Sequence, residues 1–95
     1  MSKLIDVNSV IYKKSERRKI LDDGKECFGI ADHEKRTVLV QSGLEKNFAA
    51  KTLLHEIIEC VNFQYQIGLR HHQIELLEIS LYDTIKRNGL WVMFK

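Results

Sequence analysis

Apolar residues recur along this chain with two periods, and the switch between them divides it. Residues 3–13, KLIDVNSVIYK, alternate and are rich in β-branched side chains: Ile5, Val7, then Val10, Ile11 and Tyr12. This predicts a first strand, broken near Asn8-Ser9 by a turn or bulge. Ser15 to Leu21 is polar and basic, with Ile20 and Leu21 as its only apolar anchors, and reads as a short helical turn or irregular chain. Asp22-Asp23-Gly24 is a turn signal. Glu26–Asp32 and Thr37–Gln41 then read as two strands of a hairpin joined by the four-residue loop His33–Arg36. From Glu45 the period becomes helical. Phe48, Leu53 or Leu54, Ile57, Ile58, Val61 and Tyr65 describe one apolar stripe, and Thr52, His55, Glu59, Asn62 and Gln66 lie on another side. A helix over Glu45–Ile67 is predicted, stopped by Gly68 as its C′ residue. A second helix runs from about His72 to Arg87, with Ile74, Leu77, Leu81 and Ile85 as its buried stripe, and Asn88-Gly89 ends it. Leu90 to Phe94, LWVMF, is expected to be a final strand.

The order strand, strand, strand, long helix, helix, strand predicts an α+β fold: a small antiparallel sheet packed on one side by a two-helix hairpin. The 95 residues are expected to form a single domain over 1–95. With 44% hydrophobic and 29% charged residues, the composition is that of a globular protein. A net charge of +2 gives no argument for a nucleic-acid or membrane partner, and neither is expected. The basic residues do cluster locally, at Lys13, Lys14, Arg17, Arg18 and Lys19, which reads as a solvated segment. Cys27 and Cys60 lack partners at metal-ligand spacing and are expected to be free thiols in a reducing compartment. No apolar signal region or membrane-length run is seen, so a cytoplasmic protein is expected, as a monomer or weak homodimer.

Chemistry concentrates in Thr52-Leu53-Leu54-His55-Glu56-Ile57-Ile58-Glu59-Cys60. His55 and Glu59 are four residues apart and share one helix face. Two ligands at that spacing, a third from a second helix and a carboxylate beside the open position make the recurring pattern of zinc hydrolases. His55, Glu59 and His71 would be the ligands of one Zn2+ ion, and Glu56 the general base that takes a proton from water. The usual motif is His-Glu-x-x-His, whereas Glu59 stands here in place of the second histidine. A carboxylate is a legitimate zinc ligand, and two histidines with one glutamate is also the complete set in enzymes whose third ligand is glutamate. Glutamate on the first helix and histidine on the second amounts to an exchange of ligand types.

Plainer readings fit the same residues. His55 and Glu59 could be a surface ion pair on an amphipathic helix. His71 and His72 could be solvated residues at a helix start. Glu75 and Glu78 could orient a ligand imidazole or stand exposed. Tyr82 could reach a site as an oxyanion donor or pack in the core, and His33, in a polar turn, is expected to be solvated. Two consecutive helices also allow a helix-turn-helix, but Glu75, Glu78 and Asp83 along the second helix would repel phosphate.

Gln41 to Asn88, with TLLHEIIEC, the Gly-Leu turn, LRHHQI and LYDTIKRN, resembles small zincin-like proteins of bacteriophages and prophages. The likeness covers roughly residues 25–88 and includes Phe28-Gly29-Ile30-Ala31-Asp32 in a hairpin. In that family a histidine at the position of His71 accompanies the His-Glu-x-x-Glu form, which selects His71 over His72. The resemblance implies a minimal zincin-like metallopeptidase fold. In it the Thr37–Gln41 strand lies beside the His55 helix as the edge to which an extended peptide could pair. The expected function is thus zinc-dependent hydrolysis of a peptide bond in an extended peptide or protein substrate. The alternative is a non-catalytic zincin-like interaction or regulatory module.

Overall fold

The computed structural model describes residues 3–89. The chain begins with a hairpin of β1 (Lys3–Val7) and β2 (Val10–Arg17). Its two-residue turn puts both Asn8 and Ser9 at positive φ, 54° and 71°. That twist matches the twist of the flanking strands, and the Asp6 carboxylate secures it by accepting from the Ser9 amide at 2.7 Å. A second, smaller hairpin pairs β3 (Ile20–Asp22) with β4 (Lys25–Cys27) across Asp23-Gly24, again with both residues at positive φ. The third joins β5 (Gly29–Asp32) to β6 (Thr37–Gln41). Its loop is organised by the Asp32 carboxylate, which accepts from the amides of Glu34 and Lys35.

Two strand assignments depart from the sequence reading. Residues 15–21 are mostly extended: β2 continues to Arg17 and β3 starts at Ile20, with only Arg18-Lys19 between them. Their polar character reflects a strand with one face in solvent rather than an absence of structure. The expected strand over Glu26–Asp32 is two strands, interrupted at Phe28, the first belonging to the small ribbon and the second to the main sheet.

The main sheet has the order β1-β2-β6-β5 and is mixed. Its outer pairs are antiparallel, while β2 runs parallel to β6, with Lys13 opposite Thr37 and Arg17 opposite Gln41. Consequently β6 is an interior strand, and the edge strand beside the helices is β5. The resemblance-based expectation of an edge at Thr37–Gln41 is corrected by the length of β2, which docks along the flank of β6 that would otherwise be free.

Helix α1 (Lys46–Tyr65) crosses one face of this sheet. Glu45 caps its start by accepting from the Phe48 amide at 3.0 Å, and those helix N–H groups hold the Glu45 carboxyl below its ordinary pKa. Gln66, in the left-handed conformation, forms the C-cap, two residues before the predicted stop at Gly68. Between sheet and helix lies a core of Val7, Tyr12, Val38, Val40 and Cys60, flanked by Leu53 and Val61. Burial pushes the Tyr12 phenol up to about 12 and raises the Cys60 thiol as well.

The face that α1 buries differs from the predicted stripe. Thr52, Glu56, Ile58 and Cys60 are buried, whereas Phe48 and Tyr65 are exposed. Helix α2 (His71–Arg87) packs back on α1 through Ile74 and Tyr82 and completes the hairpin. Leu77 and Leu81, expected in its buried stripe, are exposed. Both cysteines are free, as expected. No helix among the described residues is long and apolar enough to cross a membrane. The predicted strand Leu90–Phe94 lies outside the described residues.

Candidate metal centre

Local sequence sets the positions of the site residues. His55 lies in the middle of the 20-residue α1, and Glu59 follows one turn later. Their side chains face each other, His55 Nε2 to Glu59 Oε2 at 3.8 Å. His71 is the first residue of α2 and is brought over this pair by the interhelix turn. That turn is held by Asn62, whose side chain accepts from the Leu69 amide at 2.9 Å and donates to the Leu69 carbonyl at 3.4 Å. Gly68 supplies a φ of +82° between them. At the helix start the Gln73 side chain accepts from the Arg70 amide at 2.8 Å, satisfying a donor that would otherwise lack a partner.

The result is convergence. One ligand atom from each of His55, Glu59 and His71 lies within 4.8 Å of the others. The two imidazole centroids are 5.4 Å apart. His72, next in the chain, is exposed and stands outside this cluster. Carboxylates from α2 orient both rings. Glu78 Oε1 is 2.9 Å from His55 Nδ1, and Glu75 Oε1 is 2.6 Å from His71 Nε2. Each leaves the opposite ring nitrogen free, Nε2 of His55 and Nδ1 of His71. A carboxylate on the far nitrogen is how metal-ligating histidines are commonly held in tautomer and orientation. The Glu78 contact is the better protected, its carboxylate and His55 being 16% and 13% exposed, whereas His71 and Glu75 are largely open to solvent.

Glu56 occupies a different environment. It is 6% exposed, and Gly29 of β5 passes directly over it. Burial, followed by the nearby carboxylates of Glu59, Glu78 and Asp22, pushes its carboxyl up to about 8. The cleft beside it has a volume of about 460 Å³ and is shared by His55, Glu56, His71, Glu75 and Glu78, with Phe28 and Phe48 on its outer side. These two rings meet edge to face at 4.9 Å. No lysine or arginine lines the cleft, so a cation held there would balance its carboxylates.

The donor set fits zinc: two neutral imidazoles and one carboxylate, with room for further ligands on the open side. His55, Glu59 and His71 would hold the ion. Other sequence candidates fall elsewhere. The Tyr82 hydroxyl donates to Asn47 Oδ1 at 3.0 Å, so Tyr82 packs between the helices. His33 is half-buried and not simply solvated. Its ring stacks on Phe63 at 4.2 Å, and Nδ1 shares a hydrogen bond with the Tyr12 hydroxyl at 3.1 Å, tying the β5–β6 loop to α1. Sequence reasoning passed over Gly29 and Asn62. A glycine inside a strand pattern signals close approach of another element, and that signal marks Gly29; nothing local marks Asn62.

No family model, curated protein or solved structure matches this chain.

Proposed function

We propose that this protein is a zinc-dependent hydrolase of the metallopeptidase type. The observation that carries the reading is the convergence of His55, Glu59 and His71, two of which, His55 and His71, line a cleft together with the buried Glu56. The resemblance of residues 25–88 to phage zincin-like proteins supports it. A zinc ion held by His55, Glu59 and His71 would supply Lewis acidity for carbonyl hydrolysis. Glu56 would accept a proton from the attacking water and deliver it to the leaving amine. Without metal, burial and the neighbouring carboxylates raise this carboxyl to about 8; a dication held beside it would draw it back toward the carboxylate that accepts a proton. Gly29 and Ala31 of the edge strand β5 alternate with the residues that bond to β6. Their outward backbone groups suit an extended peptide.

A second reading, a zinc-binding interaction module without catalysis, is favoured by the near-complete burial of Glu56. One set of measurements separates the two. Protein purified without chelator is expected to carry about one equivalent of zinc by elemental analysis. His55→Ala and His71→Ala each lose it, and His72→Ala keeps it. Glu56→Gln keeps the metal and loses hydrolysis of a peptide library. A wild type that holds zinc but cleaves nothing leaves the module. A wild type that takes up no zinc on titration removes both.

A further inference from the structure

The face of the sheet turned away from α1 and α2 carries a groove of about 400 Å³ that the metal reading does not use. Strand geometry builds it. Lys13, Ser15 and Arg17 follow one another at two-residue spacing on β2 and so point to the same side. Lys13 registers with Thr37, and Ser15 registers with Leu39, which in turn registers with Ile30. The β3–β4 ribbon forms the opposite wall, placing Lys19 and the half-exposed Leu21 on the rim, and Lys35 closes one end from the β5–β6 loop. The basic cluster that reads as a solvated segment in the sequence is therefore one wall of a concave surface.

Four cations, Lys13, Arg17, Lys19 and Lys35, face this groove against one acid, Asp32. Among the described residues none of the four is in an ion pair. The Asp32 carboxylate is already engaged by two loop amides. The floor between the cations is aliphatic, from Ile30 and Leu39.

From this we infer that the groove binds an acidic polypeptide segment of a partner protein, one that places Asp or Glu among aliphatic side chains. The charges select an anion. The aliphatic floor selects a ligand with apolar side chains, which a nucleic-acid backbone lacks. No aromatic ring lines the groove, so it offers no platform on which bases could stack. Its concavity suits a chain segment and not a flat lipid surface. The site is on the opposite face of the sheet from the metal cluster and stands whether or not that cluster binds zinc.

The test is fluorescence anisotropy on the full chain with a labelled twelve-residue peptide alternating glutamate and leucine. Binding is expected to weaken as salt rises and to weaken about tenfold in the double variant Lys13→Glu, Arg17→Glu. It is also expected to fall when the peptide's glutamates become glutamine or its leucines become serine. Lys35→Glu, in a loop, is a second variant that leaves the strands untouched, and circular dichroism melts establish that each variant is folded. Zinc content is unchanged in both. Several results overturn the proposal: no binding, binding that the folded variants do not weaken, or equal and variant-sensitive binding of a single-stranded oligonucleotide or of phosphatidylserine vesicles. Self-association abolished by the same variants would assign the groove to a second copy of this chain and overturn it too.

Discussion

Gly29 faces α1 without a Cβ, and the site depends on that. A methyl group there would come within 2.8 Å of Thr52 Cγ2 and 3.0 Å of Glu56 Oε2, with the Leu39 carbonyl at 3.2 Å. Gly29→Ala is therefore expected to cost about 1–3 kcal/mol in urea unfolding. Adding Thr52→Ser, which removes the crowding methyl, is expected to restore part of that loss. Glu56 has its own signature. Its carboxyl titrates near 8 in the fold against an ordinary 4.5, so in chelator the folded chain holds a proton that the unfolded chain releases. The favourable contribution is complete below about 4.5 and disappears as pH rises to about 8. The melting temperature of the wild type is expected to fall relative to that of Glu56→Gln between pH 5 and pH 9 in metal-free buffer; parallel curves would remove the assignment. His55 and Glu59 are legible as a pair because helix geometry fixes the i, i+4 relation. Glu78 is not uniquely legible as the partner of His55, since only the crossing of α2 over α1 decides which carboxylate meets which ring.

At the scale of elements, the turn between the helices sets the position of His71, the proposed third ligand. Asn62→Ala removes both bonds to Leu69 and is expected to destabilise the protein by about 1–2 kcal/mol. It is also expected to weaken zinc binding in a competition titration, although Asn62 is not a ligand. An unchanged zinc affinity would mean that α2 is positioned by Ile74 and Tyr82 packing alone. Turn chemistry made the three turns visible in the sequence, at Asn8-Ser9, Asp22-Asp23-Gly24 and His33–Arg36, but only the last reads there as a hairpin. Strand content was hidden where side chains are polar, as at Lys13–Arg17, because half of such a strand faces solvent. The helical stripe was misplaced for a related reason. A cleft opens beside α1, so Thr52 and Glu56 turn inward to line it, and the exposed Phe48 lines it as well. Parallel pairing of β2 with β6 had no local signal, since its partners are 24 residues apart in sequence, from Lys13 to Thr37.

Taken whole, the molecule separates its charges by face. Acidic groups and imidazoles gather where α1, α2 and β5 meet, and lysines and arginine gather on the far side of the sheet. Because His55 and Glu59 lie on α1 and His71 on α2, zinc held by all three would tie α2 to α1. Zinc at about one hundred times its dissociation constant is expected to add about 2.7 kcal/mol, a rise in melting temperature on the order of 10 °C. His71→Ala should show no such rise in calorimetry.

The parallel joint between β2 and β6 also governs how the chain reaches this state. Each hairpin closes over a few residues, whereas the joint must bring together two finished hairpins across a loop that includes a third. Such non-local pairing carries the larger loop-closure entropy and slows folding. Only through that joint does the cationic wall of the basic groove, Lys13 and Arg17 on β2, meet the Ile30–Leu39 floor that the β5–β6 hairpin forms by itself. The same joint brings Tyr12 of the first hairpin against Val38 and Val40 of the third.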